Sequence, residues 1–404
     1  MNNNKLIYGL ILAMLFYAFW GFIWTETIFV IPLMNNIVVM LLFPLFIFAT
    51  YNSKINRINS KVIVWIPFMF YTLMGYLVQG QSVYFGYWAC CLGVILLSGN
   101  PYLYKYISYK FVLYTGIICL LGSVFQFLLT DIYNFYIAGF YLNSAKIKLW
   151  ADTGYGFAGF TYQLDTTAVP ILLAEGLYMY NPYKSEKKGC FIIVACFIIS
   201  IILTGKRMAV LLSIIIPIII EVVTSKKILF SLKKFVFSCV CILIILNILY
   251  INLDYLYESQ LFHRFAGSYI AYTQGTDISG GRVDLYDLAW DLYLKNPLFG
   301  IGVGNFMIAT NALTDVHNTY LQILCEQGLF GFFTFIIPLL FCLAKTIIDA
   351  KKYNCNLIKF TLFVELFFCL YAFTGNVTIN LYGYFVYFIF ISAYISYGEN
   401  IRRF

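Results

Sequence analysis

The sequence predicts an all-α polytopic membrane protein of about twelve transmembrane helices. Three observations carry that prediction. Of the 404 residues, 62% are hydrophobic and only 11% are charged. The mean hydropathy is +0.83. The apolar residues also gather into runs of the length that a bilayer-spanning helix needs, roughly 20 residues each. A soluble domain, with about 25% charged residues, has a different balance. Residues 1–404 therefore read as a single integral membrane domain.

The first apolar run, near Leu6 to Trp24, has only Lys5 before it and no small-residue cleavage site behind it. It reads as an uncleaved helix and not as a removed signal peptide. Further runs lie near Ile28 to Thr50, Val62 to Val78, Ser82 to Gly99 and Tyr106 to Leu129. An outer loop of roughly Thr130 to Asp165 leads to a run near Thr166 to Tyr180. Runs near Gly189 to Leu203, Met208 to Val223 and Phe235 to Ile251 come next. Residues 252–318 form the larger outer loop, and runs near Thr319 to Ala344, Leu357 to Thr374 and Ile379 to Tyr397 complete the chain. An even number of spans puts both termini on one side.

The basic residues orient the bundle. On this assignment 19 Lys and Arg fall on the side of the termini and seven on the other, namely Lys146, Lys148, Lys206, Arg207, Arg264, Arg282 and Lys295. The positive-inside bias then makes the termini cytoplasmic. The cytoplasmic connections are too short for a soluble nucleotide-binding domain, and no GxxxxGK[ST] motif occurs. Any energy for chemistry must arrive in an outward-facing substrate. The net charge of +8 is spread in short clusters between apolar runs. That pattern suits anionic membrane lipids and lacks the continuous basic stripe of a nucleic-acid binder. All eleven cysteines fall within runs or at Cys355, so no disulfide is expected in the outer loops.

The seven outward cations are the strongest clue to function, because the charge bias should exclude them. Lys206 and Arg207 lie between two runs only a few residues apart, hence at or just inside the interface, where a cation facing a cavity is functional by default and snorkelling is the plainer alternative. Arg282 to Leu294 reads as an amphipathic helix opened by Ser279-Gly280-Gly281 and stopped at Asn296-Pro297. The free N–H groups of its first turn, with Arg282 beside them, suit a phosphate. Asp284, Asp287 and Asp291 share one face of that helix and read as a solvated stripe, since no DxD metal motif occurs. Gly300, Gly302 and Gly304 do not have dinucleotide-loop spacing and read as tight packing. Glu175, Glu326 and Glu365 fall within runs, with Glu326 two to three turns after His317. His317 stands at the outer mouth of a run and His263 in mid-loop beside Arg264. A neutral imidazole among cations suits a general base.

These residues match a family pattern. GRVDLYDLAWDLYLKNPLFGIGVGNF, from Gly281, and VHNTYLQILCEQGLFG, ending at Gly331, resemble the Arg, Trp, Asn-Pro, Gly-x-Gly and His-Asn elements of the bacterial O-antigen polymerase and O-antigen ligase superfamily. Arg207 in TGKRMA resembles the family's arginine at a short outer turn, and Arg264 one upstream of the large loop's helix. The family often has an arginine where this chain has Gly156-Phe157-Ala158-Gly159, and Lys206 replaces a common small residue.

The resemblance implies a GT-C-like membrane glycosyltransferase of the bacterial inner membrane, with residues 252–318 as its large periplasmic loop. Its donor would be an undecaprenyl-diphosphate-linked oligosaccharide, and it would need no metal or other cofactor. Arg207 and Arg282, helped by Arg264 or Lys206, would neutralise the departing diphosphate. His317 would deprotonate the acceptor hydroxyl, with Asn318 and Glu326 in support. A polymerase extends another lipid-linked repeat unit, with a separate chain-length regulator as a candidate partner, whereas a ligase transfers to lipid A core. The segment TYLQILCEQGLFG and the aromatic-rich, low-charge character favour the polymerase. A transporter or flippase is the reading from another class. It fits twelve helices equally well but expects pseudo-repeated halves and mid-membrane charges.

Overall fold

The computed structural model describes residues 3–31, 34–52, 59–80, 82–182, 191–225, 263–275, 279, 281–375 and 382–401. Among them the regular structure is helical, with one isolated antiparallel bridge between Thr27 and Tyr141. The helices are α1 (Asn3–Trp20), α2 (Met34–Asn52), α3 (Ser60–Ile63), α4 (Ile66–Val78), α5 (Ser82–Leu97) and α6 (Tyr109–Leu128). They continue as α7 (Thr130–Tyr136), α8 (Ser144–Asp152), α9 (Leu164–Met179), α10 (Phe191–Leu203) and α11 (Arg207–Thr224). The rest are α12 (His263–Thr273), α13 (Arg282–Lys295), α14 (Phe306–Thr310), α15 (Thr319–Tyr353), α16 (Asn356–Tyr371) and α17 (Tyr382–Ile401).

Eleven of the twelve apolar runs coincide with α1, α2, α4, α5, α6, α9, α10, α11, α15, α16 and α17. The run near Phe235 to Ile251 lies outside the described residues. Among the described residues, five segments are long and apolar enough to cross a membrane by themselves, including Leu103–Leu128, Arg207–Thr224 and Thr319–Tyr353. The fold is thus an all-α polytopic membrane protein.

α9 carries several polar residues in a buried position. It packs against α6, α10, α11 and α16 and is buried along nearly its whole length, so Thr166, Thr167 and Glu175 face protein instead of lipid. Polar contacts sort the helix ends into two groups. At one end Lys61 Nζ donates to the Tyr394 hydroxyl at 2.6 Å and pairs with Asp349 at 3.7 Å, and Asn356 bonds Asn181. At the other end lie Asp165, Lys206, Arg282 and His317.

The run expected to begin at Ile28 starts as a helix only at Met34. Ile28 N–H bonds the Phe140 carbonyl, Leu142 N–H bonds the Glu26 carbonyl and Ile31 N–H bonds the Trp24 carbonyl, so this stretch is a turn tied to the first outer segment. Its β-branched residues and the proline at position 32 disfavour helix there. The first outer segment is itself partly helical, forming α7 and α8. The larger one carries α12, α13 and α14.

α15 is broken at Gly328, which has φ 63 and ψ −165. The break frees backbone donors that a lipid-facing helix could not leave unmet. Leu329 N–H bonds Pro297 and Phe330 N–H bonds Leu298, so the chain after α13 is threaded into the kink. Reciprocally, Ile301 N–H bonds Cys325 and Gly302 N–H bonds Glu326. A Cβ at Gly328 would overlap the backbone of Leu298, and one at Gly300 that of Glu326, and both residues have positive φ. The Asn-Pro and Gly-x-Gly elements are therefore the two halves of a lock that holds α13 on the bundle.

Gly328→Ala should lower stability by about 1–3 kcal/mol or more, through a forced positive φ plus backbone overlap. Gly139→Ala, where a Cβ meets nothing, should not. Thermal midpoints in detergent check this, and equal midpoints for both variants would contradict the lock.

Candidate active site

The site is assembled from four distant stretches of chain. α10 and α11 are joined by a hairpin in which Gly205 N–H bonds Ile202 at positive φ. Lys206 is the N-cap residue of α11 and Arg207 its first residue. Both cations are thereby fixed at a helix start.

Arg282 opens α13. Gly281 adopts the left-handed N-cap conformation, and Ser279 Oγ accepts from the Arg282 and Val283 N–H groups at 3.1 and 3.4 Å. The Ser-Gly-Gly start is thus a hydrogen-bonded cap. The guanidinium donates to the Thr374 carbonyl at 3.1 Å.

His317 sits just before α15 in the left-handed region, at φ 57. Histidine adopts that conformation more readily than most residues, at a cost of about 1 kcal/mol or more that its surroundings must offset. Asn318 caps α15 by accepting from Tyr320 and Leu321 N–H, Val316 N–H bonds the Gln322 side chain, and Thr319 is tied through N–H and hydroxyl to Ala372 and Gly375. These contacts over-determine the turn on which the imidazole stands.

Asp165, in the first turn of α9, completes the group. It pairs with Lys206 Nζ at 2.6 Å and accepts from the Tyr371 hydroxyl at 2.6 Å.

Lys206, Arg207, Arg282, His317, Asp165, Asp315 and Tyr371 line one cavity of about 630 Å3. Four cations face it, Lys146, Lys206, Arg207 and Arg282, against two carboxyls, Asp165 and Asp315. The surplus is positive, as an anion site requires. Burial lowers the His317 pKa below its ordinary 6.5, Arg282 and Lys206 lower it further, and Asp165 opposes them. The imidazole is therefore neutral near pH 7. Burial raises Asp315 to about 6.

Four of the candidate residues, Lys206, Arg207, Arg282 and His317, meet in this cavity. Two stand behind it. Asn318 is a helix cap, and Glu326 is buried, accepting from Phe306 N–H and the Gln322 side chain, where it steadies the loop after α13. Arg264 lies in the first turn of α12, and the surroundings of its side chain are outside the described residues. Asp284, Asp287 and Asp291 are exposed, as a solvated stripe should be.

Sequence reasoning missed Asp165 and Tyr371. The signal available was a lone acid in the first turn of an otherwise apolar run, a position where a helix dipole favours it. Tyr371 was indistinguishable from the chain's other 34 tyrosines, 35 in all.

The structure thus defines a polytopic helical membrane protein with a cationic cavity that holds one neutral imidazole at the end of the bundle. Residues 192–336 match the family model described as O-antigen ligase. The match spans Lys206, Arg207, Arg282 and His317, while Asp165 and Tyr371 lie outside it. No curated protein matches the chain.

The charges around His317 predict opposite effects on its protonation. Arg282→Gln removes a cation and should move the midpoint up, whereas Asp165→Asn removes an anion and should move it down. Diethylpyrocarbonate labelling of the His317 peptide across pH reads both. Shifts of the same sign would refute the arrangement.

Proposed function

We propose that the protein is a bacterial surface-polysaccharide polymerase, an O-antigen polymerase that transfers a glycan from undecaprenyl diphosphate to a hydroxyl of a lipid-linked repeat unit. The single observation that carries this reading is the neutral imidazole of His317 sharing a cavity with Lys206, Arg207 and Arg282. The likeness to O-antigen ligases supports it. By the charge bias the cavity opens at the periplasmic face of the inner membrane, with both termini cytoplasmic.

In this mechanism the acceptor hydroxyl gives its proton to His317 as its oxygen bonds the anomeric carbon. The bond from that carbon to the diphosphate oxygen breaks, and undecaprenyl diphosphate leaves with the electron pair. The leaving group gains charge as the bond lengthens, so Arg207 and Arg282 stabilise the transition state more than the bound donor. Planar guanidinium groups grip phosphate oxygens bidentately, and Lys206 adds a point charge held in place by Asp165. A diphosphate carrying one negative charge per phosphate matches the cavity's surplus.

The ligase reading, with lipid A core as acceptor, is favoured by the description of the matched family model. The two differ only in the acceptor. A transporter has no use for a neutral base held among phosphate ligands.

With lipid-linked repeat units as sole substrate, purified protein should lengthen chains. His317→Ala should lose about 10²–10⁴-fold in rate, the range for a general base. Lysine at Arg207 or Arg282 should restore only part of the activity. The wild-type rate should fall as pH drops through the lowered His317 pKa, because the imidazolium cannot accept a proton, and level off above it. Transfer solely to lipid A core would establish the ligase, and lost repeat-unit translocation in His317→Ala cells would establish transport.

A further inference from the structure

The same cavity has a second face, built by residues outside the matched family stretch. α8 contributes Lys146 and Trp150, and Tyr155 follows from the turn after it. The indole and phenol rings lie nearly parallel, at 20° with centroids 6.3 Å apart, and Lys146 Nζ sits over the indole at 5.1 Å. The pair is fixed from the backbone upward. Tyr155 N–H bonds the Trp150 carbonyl at 2.8 Å, and Ile147 and Ala151 anchor the buried side of α8.

This face is fastened directly to the cations. Phe157 N–H bonds the Leu203 carbonyl, and Gly156 is packed so closely on the Thr204 carbonyl that a Cβ would sit 2.5 Å from it. A side chain at position 156 would push the aromatic pair away from Lys206 and Arg207. The glycine at this point of the chain is explained by that contact.

Aromatic residues at a bilayer interface ordinarily face headgroups. These two instead line a cavity shared with Gln163, Asp165 and Lys206. An aromatic face is electronegative and apolar, so it complements the C–H face of a pyranose ring, while neighbouring amide, carboxyl and ammonium groups meet the hydroxyls at its edge. We propose that Trp150 and Tyr155 form a glycan-stacking subsite that seats a sugar of the lipid-linked oligosaccharide beside the diphosphate, with Lys146 donating to its oxygens. The proposal rests on the transferase reading for the identity of the ligand, and its test separates the two.

The test uses full-length protein in detergent and two probes. One is free oligosaccharide released from the cell's own lipid-linked repeat unit, and the other is undecaprenyl diphosphate without sugar. Trp150→Ala and Tyr155→Ala should each weaken oligosaccharide binding by about tenfold, equivalent to about 1.4 kcal/mol. Binding of undecaprenyl diphosphate should stay within about twofold of wild type, well under that tenfold step. Trp150→Phe should retain most of the oligosaccharide affinity. Tyr155 is 40% exposed, so its alanine variant serves if Trp150→Ala does not fold. Wild-type protein that binds the oligosaccharide through these rings but transfers nothing would uphold the subsite and remove the transferase. Active protein whose oligosaccharide affinity and KM are unchanged in folded alanine variants, or wild-type protein that binds no oligosaccharide, would overturn the subsite.

Discussion

The turn that closes α16 is the contact on which the site depends. Its carbonyls have passed the end of the helix and lack intrahelical donors, and in a bilayer-embedded bundle such groups must find partners within the protein. They find them in residues far away in sequence. Ala372 accepts from Thr319 N–H, Gly375 from the Thr319 hydroxyl, and Thr374 from the Arg282 guanidinium. The Tyr371 hydroxyl adds a bond to Asp165. One helix end therefore fixes the start of α13, the start of α15 and the start of α9. His317, Arg282 and Asp165 come together because each borders a segment that this turn holds.

Charge balance explains why the assembly is poised and not inert. Several cations at the end of an apolar bundle repel one another at close quarters, where effective dielectric is low. Asp165 relieves part of that repulsion by pairing with Lys206, and Tyr371 keeps the carboxylate aimed. The relief is incomplete, since the cations lining the cavity outnumber the carboxyls. The same residual field and burial hold the His317 imidazole neutral. An anion entering the cavity completes the balance beside a base that is already able to accept a proton.

Most of the bundle was legible in the sequence, because hydropathy reports burial or lipid contact whichever way a helix faces. The start of α13 was legible for a different reason: Ser279 and Gly281 encode its cap locally. The misreadings have physical causes. Ile28 to Ile31 is as apolar as a span yet forms a turn tied through Ile28 to the first outer segment, and hydropathy does not distinguish the two. The break at Gly328 depends on the loop that begins at Asn296, so no local window contains it. Within the site, the cations and His317 stood out by being costly where they are. Asp165 did not, because its meaning lies in Lys206 and Tyr371, which only the fold brings near. Asn318 belongs to the family-like His-Asn element and Glu326 stood out as an acid within an apolar run, and the structure gives them capping and loop-bracing contacts behind the cavity.

The central claim is that guanidinium groups from separate stretches of the chain grip one diphosphate beside His317. Cryo-electron microscopy of the full chain with undecaprenyl diphosphate bound tests it most directly. The account predicts both phosphates lodged between Arg207 and Arg282, with the imidazole facing the space where an acceptor hydroxyl must stand. Phosphates bound at another place, with the Arg207–Arg282 cavity open to solvent alone, would contradict it.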